Sequence, residues 1–280
     1  MFANVVPPTM TPVARVLAAG PAAAVTTTAP TAYRGEVVIG ADGHRSTVRA
    51  AVAPDHPNAA FAGYLIWLGV ADESALAPGH HYPHHVDILH RGKDTLPGYP
   101  LAGRDGSVRP GSRRMGWAWY DASRNDLLRQ KGSVRGTVVH HSLRAADIPE
   151  TTFTELTAEA ADLWPAPWRD AILDSLERRD TLGTPIAKYV AERLVDGRLV
   201  LVGDAAHVPT PMTGSGFAAS MDDAEAVASG LRHGTPLPRA LTAYERKGLA
   251  RARSLVQSGQ QFSRSFAGRL AQRPTRPAIR

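Results

Sequence analysis

Two short apolar runs, Glu36-Val37-Val38-Ile39-Gly40 and Arg198-Leu199-Val200-Leu201-Val202-Gly203, sit about 160 residues apart in a chain of 280. Each ends in glycine, and an aspartate stands just beyond it, Asp42 after the first and Asp204 after the second. A continuous apolar run of this length marks a strand buried on both faces of a parallel sheet. The carboxyl ends of such strands are where open α/β sheets bind ligands. The two runs are therefore expected side by side in one sheet, with both turns reaching one ligand.

Between the runs the texture changes. Phe61 to Val70 and Arg114 to Tyr120 read as strands rich in aromatic and β-branched residues, joined by Gly- and Pro-rich segments such as Leu96-Pro97-Gly98-Tyr99-Pro100. This predicts an antiparallel sheet inserted between two pieces of an α/β domain. Helices follow from about Thr154 to Arg178, interrupted by Pro165 and Pro167, and from Phe217 to Leu231. In the first, apolar Trp164, Trp168, Ile172 and Leu176 recur every four residues. A last helix from about Pro238 to Leu270 carries Leu241, Tyr244, Ala252, Leu255, Phe262 and Phe266 on one stripe. The expected class is α+β or α/β, divided as an atypical, disordered stretch over 1–32, an α/β domain from 33–60 and 181–235, an inserted sheet domain over 61–180, a C-terminal helix over 236–270 and a disordered basic tail over 271–280.

Several classes of function are excluded. The chain has no cysteine, so disulfides, zinc–thiolate sites and thiol nucleophiles are absent, which fits a cytoplasmic protein. No apolar run approaches the roughly 18 residues needed to cross a bilayer. Met1 to Thr31 lacks the basic start of a secretory signal, and Arg15 and Pro21 interrupt its apolar part. The net charge is +6, but Arg239 to Arg280 holds ten Lys/Arg against Glu245 alone, a balance of +9 that leaves −3 for the rest. Basicity so confined reads as a solvated helix face rather than a nucleic-acid groove. His80, His81, His84 and His85 have metal-ligand chemistry, but Gly79 and Pro83 mark a surface loop, and no metal is expected there. No Ser/His/Asp nucleophile elbow occurs.

The chemistry lies in the two turns. In Gly40-Ala41-Asp42-Gly43-His44-Arg45-Ser46 the glycines let the backbone approach a ligand, and Asp42 can accept hydrogen bonds from hydroxyls of a dinucleotide. A plain strand-to-helix turn with Ser46 as N-cap explains the same residues. In the second motif Asp204 closes the strand, and Ala205 is small enough to let a planar ring pass. A stiff loop through Pro211 then leads to Gly214-Ser215-Gly216. A helix beginning there offers free amides and a positive dipole end to an anionic group. Gly214-Ser215-Gly216-Phe217-Ala218-Ala219 has G-x-G-x-x-A spacing but follows no strand directly, so it is not a dinucleotide fingerprint. His207 is placed for proton transfer, and orienting the loop is the other role its position allows.

With these motifs and this spacing, about Tyr33 to Leu270 resembles the group A flavoprotein monooxygenases, the p-hydroxybenzoate hydroxylase-like family. Gly63-Tyr64 to Leu68, the Arg114 to Tyr120 strand and the second motif are most similar to the bacterial dihydroxypyridine hydroxylase type. The resemblance implies a Rossmann-like (GR2-type) FAD-binding domain with an inserted substrate-binding sheet. It also implies FAD as cofactor, NADH or NADPH as co-substrate, and transfer of one oxygen atom from O2 to a small aromatic ring. Flavin-region residues would be Gly40, Asp42, Gly43, Arg45, Asp204, Ala205, Pro211, Gly214, Ser215 and Gly216. Trp117, Trp119 and Tyr120 are offered to the substrate, although strand alternation leaves open which of them face it. A homodimer is the expected assembly, with neither nucleic acid nor membrane as partner.

The resemblance also implies an opening strand, a G-x-G-x-x-G turn and a helix for the FAD pyrophosphate. Only 35 residues precede Glu36, and Met1 to Thr31 contains the single glycine Gly20. A βαβ unit alone needs about 30 residues. The sequence therefore predicts an incomplete FAD-binding domain that binds FAD weakly or not at all alone. The alternative to a truncated enzyme is a non-catalytic remnant or mis-started fragment.

Overall fold

The structure is a computed structural model that describes residues 11–20, 22–29, 31–76, 82–92, 94–211, 214–232 and 234–271, with side chains 19 and 260–271 excepted. The chain divides into two compact units: Met1–Ala60 with Ala187–Phe262, and Phe61–Ile186 with Ser263–Arg280. Residues 272–280 of the basic tail predicted over 271–280, together with Gly79, His80 and His81 of the histidine cluster, lie outside the described residues.

The first unit opens with an antiparallel meander of β1 (Val13–Ala19), β2 (Ala22–Thr27) and β3 (Ala32–Gly35). This corrects the expectation of disorder over 1–32 for the residues of these strands. Val13, Val16, Val25 and Thr26 are β-branched and favour extended backbone. Their pairing, Val16 against Val25 and Leu17 against Ala24, joins the two strands in register. The guanidinium of Arg198 ties the meander down by donating to the carbonyls of Gly20 and Glu36.

Next come β4 (Val38–Gly40) and the short helix α1 (Thr47–Val52). A Cβ on Gly40 would lie 2.6 Å from the Val48 Cβ, so glycine there lets strand and helix touch.

The second unit holds β5 (Ala60–Asp72), β6 (Asp87–Arg91), β7 (Asp94–Leu101), β8 (Arg114–Asp121), α2 (Asn125–Gln130), β9 (Val134–Arg135), β10 (Val138–Val139), α3 (Glu150–Leu163), α4 (Trp168–Glu177) and β11 (Thr181–Lys188). Its sheet runs β6-β7-β8-β5-β10-β9, with β11 also paired to β5. The β5–β8 pairing is antiparallel, from Leu65 opposite Asp121 to Asp72 opposite Arg114. Helices α3 and α4 cover the face that carries Trp67, Trp117 and Trp119, all almost completely buried. Residues 181–186 group with this sheet, so the division falls at Ala187 rather than at 181.

The chain then returns to the first unit through β12 (Val195–Asp196) and β13 (Leu199–Leu201). β13 lies parallel to β4, with Leu199 opposite Val38, Val200 opposite Ile39 and Leu201 opposite Gly40. The two glycine-ended runs are thus neighbours in one sheet of order β12-β13-β4, as their matching patterns require. Two helices close the unit, α5 (Gly216–Arg232) and α6 (Leu237–Ala271). On α6, Leu241, Tyr244, Ala252 and Val256 are buried. Val256 takes the inner place expected of Leu255, which is half-buried; the side chains of Phe262 and Phe266 lie outside the described residues.

Candidate functional site

Parallel pairing places the turns after β4 and β13 at one end of the sheet. In the first, Asp42 accepts from the Ser46 hydroxyl and from the amides of Thr47 (2.7 Å) and Val48 (3.2 Å). The Ser46 oxygen accepts from the Arg49 amide at 2.8 Å, so Ser46 is the N-cap of α1. Asp42 thus holds the helix start while staying exposed. Arg45 and Asp42 face solvent, Gly40 is buried, and Gly43 has open space where a side chain would stand. Burial, followed by the charge of Arg45, lowers the affinity of the His44 imidazole for a proton.

In the second turn the chain makes a 3-10 turn over Gly203–Ala205. Gly203 has φ +60°, and a Cβ there would sit 2.9 Å from the Ser220 hydroxyl of α5. A side chain at this position would be strained and would crowd the Ser220 side chain. Ala205 is fully buried, whereas Asp204 is exposed and its carboxylate has no hydrogen-bond partner among the described residues. Pro211 and Gly214 are exposed, Ser215 and Gly216 half-buried, and Met212 and Thr213 lie outside the described residues. The first amides of α5 have no acceptor within the helix, as at any helix start.

Arg49 joins the turns, and sequence reasoning missed it. It is 1% exposed and donates to the carbonyls of Asp204 (3.3 Å), Ala205 (3.1 Å), Pro57 (2.8 Å) and His44. Its guanidinium lies 4.2 Å from the centre of the Tyr189 ring. Its place beside Val48 and before Val52 on the inner face of α1 was the available signal.

A second buried cluster sits behind Gly203. The Asp223 carboxylate pairs with His207 Nε2 at 2.7 Å and accepts from the Gly203 amide at 3.0 Å and from Arg251 of α6 at 2.6 Å. Burial alone would raise the Asp223 pKa, but His207, the Gly203 amide and Arg251 together outweigh it and hold the carboxyl below its ordinary range. His207 Nδ1 is buried with no hydrogen-bond partner among the described residues. His207 is 1% exposed, which fits orientation of the loop. The sequence did hold a signal for Asp223: Ala219, Asp223 and Val227 recur every four residues and are the buried residues of α5.

In the second unit the three aromatic candidates separate. Trp117 and Trp119 share the helix-covered face, where their indole N–H groups donate to Ser175 (3.1 Å) and Asp94 (3.2 Å). Trp119 also meets the edge of Trp164. These are core anchors with their polar edges engaged. Tyr120 points to the opposite face, stacked on Tyr64 with ring centres 5.8 Å apart, and burial raises its phenol pKa.

A family model described as FAD binding domain matches residues 20–259. The chain is similar to 2,6-dihydroxypyridine 3-monooxygenase of Paenarthrobacter nicotinovorans, 26% identical over 81% of this chain and 56% of that protein. It is also similar to the FAD-dependent urate hydroxylase of Klebsiella pneumoniae, 28% identical over 79% of this chain and 50% of that one. It thus spans about half the length of the curated relatives it matches. The solved 2,6-dihydroxypyridine-3-hydroxylase of Arthrobacter nicotinovorans shares the fold, with a TM-score of 0.74 at 24% identity over 92% of this chain and 65% of that one. The family match takes in both turns, the inserted sheet between them and most of the chain, and the protein belongs to the FAD binding domain family.

Proposed function

We propose that this chain forms part of an FAD-dependent monooxygenase that hydroxylates a small aromatic or heteroaromatic ring, with NADH or NADPH as co-substrate. The observation that carries the reading is the parallel β4–β13 pairing, which brings the Asp42 and Asp204 turns to one end of the sheet. The residues there fit a flavin. Asp204 presents a carboxylate without a partner among the described residues, suited to the hydroxyls of a ribityl chain. The small Ala205 and the start of α5 at Gly216 leave room and amides for a planar, electron-rich ring. FAD, when bound, would take electrons from the nicotinamide and activate O2.

The protein's own share is to bind, orient and exclude water. Arg49 would keep the two turns in register, and the His207–Asp223–Arg251 cluster would hold the loop towards Gly214. Gly40, Asp42, Gly43, Arg45, Pro211, Gly214 and Ser215 complete the flavin region in this reading. Residues 61–180 would form the substrate domain, with Tyr120 rather than Trp117 or Trp119 turned to the ligand. A cytoplasmic homodimer belongs to the same reading.

The test joins this chain to the parts of the Paenarthrobacter enzyme that lie outside the matched segment. Given FAD and NADH or NADPH, the joined protein should place one atom of isotope-labelled O2 into a hydroxylated pyridine or phenol. Consumption of the nicotinamide with no labelled product across a panel of such rings would remove the reading.

A further inference from the structure

One cavity of the second unit, about 520 Å3 in volume, has an apolar floor and a charged rim. The floor belongs to the sheet face that turns away from α3 and α4. Along β5, Trp67 and Gly69 alternate with Leu68 and Val70, and the Trp117 ring packs where a Cβ of Gly69 would stand. Leu68 and Val70 therefore share the other face, that of Tyr120. Tyr99 joins them, because it pairs with Gly116, which lies opposite Val70. A Cβ on Gly116 would come within 2.4 Å of the Tyr99 ring. On β11, a Cβ on Gly183 would meet the Trp67 ring at 2.7 Å, so its neighbour Leu182 turns to the cavity side. Leu182 is 36% exposed there.

Three charged residues stand at the rim, and two of them are already neutralised. Asp180 is paired with Arg178 at 3.1 Å, and Arg179 is paired with Glu150. Arg144 is the third. Its amide donates to Asp147 at 3.0 Å, but its exposed guanidinium meets no carboxylate among the described residues. Leu143, just before it, bridges to Gly183 and is fully buried, so by alternation Arg144 lies on the Leu182 side of the sheet. An unpaired cation thus stands beside an apolar floor.

We propose that this cavity binds a single-ring carboxylic acid, with the ring on Leu68, Val70 and Leu182 and the carboxylate on the Arg144 guanidinium. The size fits, since ligand pockets run from roughly 300 to 1,000 Å3. The chemistry fits as well, because the guanidinium fork matches a carboxylate with two parallel hydrogen bonds. Inorganic phosphate would leave the apolar floor unused, and a neutral ring would leave the cation unused. Arg144 is then the residue that sets specificity. Binding needs no flavin. Taken with the proposed function, on which this one step rests, the ring to be hydroxylated is one that carries an acid group.

Titration of benzoate into the purified chain without FAD, followed by saturation-transfer NMR, reads the cavity apart from the reaction. Labelled oxygen can fail to reach a product while benzoate binds, and the reverse. Benzoate should bind saturably and at least tenfold tighter than benzamide, its neutral counterpart. Inorganic phosphate at equal concentration should not displace it. Arg144→Gln should weaken benzoate at least tenfold and leave benzamide unchanged. Leu182→Asp, which sets a carboxylate on the floor, should abolish benzoate binding. Arg109→Gln, at an exposed arginine of the same unit outside the cavity, should change neither ligand. Each variant should keep the circular dichroism of the parent. The proposal is overturned by absence of saturable binding, by equal affinity for benzoate and benzamide, or by displacement with phosphate. Unaltered benzoate affinity in Arg144→Gln overturns it too.

Discussion

Asp223 is the residue on which the second turn depends, because one carboxylate serves an imidazole, a main-chain amide and a guanidinium. Removing one partner of a buried charge cluster leaves the others uncompensated, which typically costs about 3–5 kcal/mol. Asp223→Ala should lose stability on that scale in urea unfolding, whereas Asp222→Ala, at an exposed neighbour, should change it by less than about 1 kcal/mol. The pH dependence has a definite sign. A carboxyl held below its unfolded pKa stabilises the fold above that value, and the contribution is lost as pH falls through the depressed folded value. Wild type should therefore weaken on acidification more steeply than Asp223→Ala. Parallel acid curves would show that the carboxylate is not charged in the fold. Gly203→Ala probes the same turn from the backbone. With φ at +60° and Ser220 at 2.9 Å, the change should cost more than about 1 kcal/mol. An unchanged urea midpoint would mean that the 3-10 turn relaxes freely.

Among the elements, those with a strong local pattern were legible. The two glycine-ended runs became β4 and β13, the aromatic strand became β8, and the long apolar stripe became α6, each within a few residues. The parallel pairing was also legible, because two turns bound for one ligand need neighbouring strands. Other features depended on contacts distant in sequence. β1 and β2 are built mostly of small Ala, Val and Thr, whose pattern gives no strand signal until pairing shows their register. β11 carries Gly183 and Pro185, and only its pairing with β5 assigns it to the inserted sheet. Arg49 is one arginine among many until its four carbonyl acceptors are seen. The faces of β8 were open because both are buried, so alternation of polarity gave no signal. Trp117→Ala should therefore cost about 3–5 kcal/mol by cavity formation and loss of the Ser175 contact. Tyr120→Phe, which keeps the ring stacked on Tyr64, should stay within about 1.5 kcal/mol in thermal or urea unfolding. The reverse order of effects would exchange the core and ligand faces assigned here.

At the scale of the whole molecule, the account rests on one parallel strand pair that gathers two acidic turns, with an antiparallel sheet inserted between them in sequence. Family membership gives this arrangement its ligand, and Asp204 is the residue through which it is tested, since its carboxylate is exposed and caps nothing among the described residues. The direct measurement is a titration of FAD, followed by quenching of flavin fluorescence, into the chain joined to the remaining parts of the Paenarthrobacter enzyme. Hydrogen bonds to a charged group contribute about 1.5–3 kcal/mol each. The account predicts saturable binding that Asp204→Ala weakens by about 10- to 150-fold, with the circular dichroism of the protein unchanged. Absence of binding, or equal affinity in the Asp204→Ala protein, would contradict it.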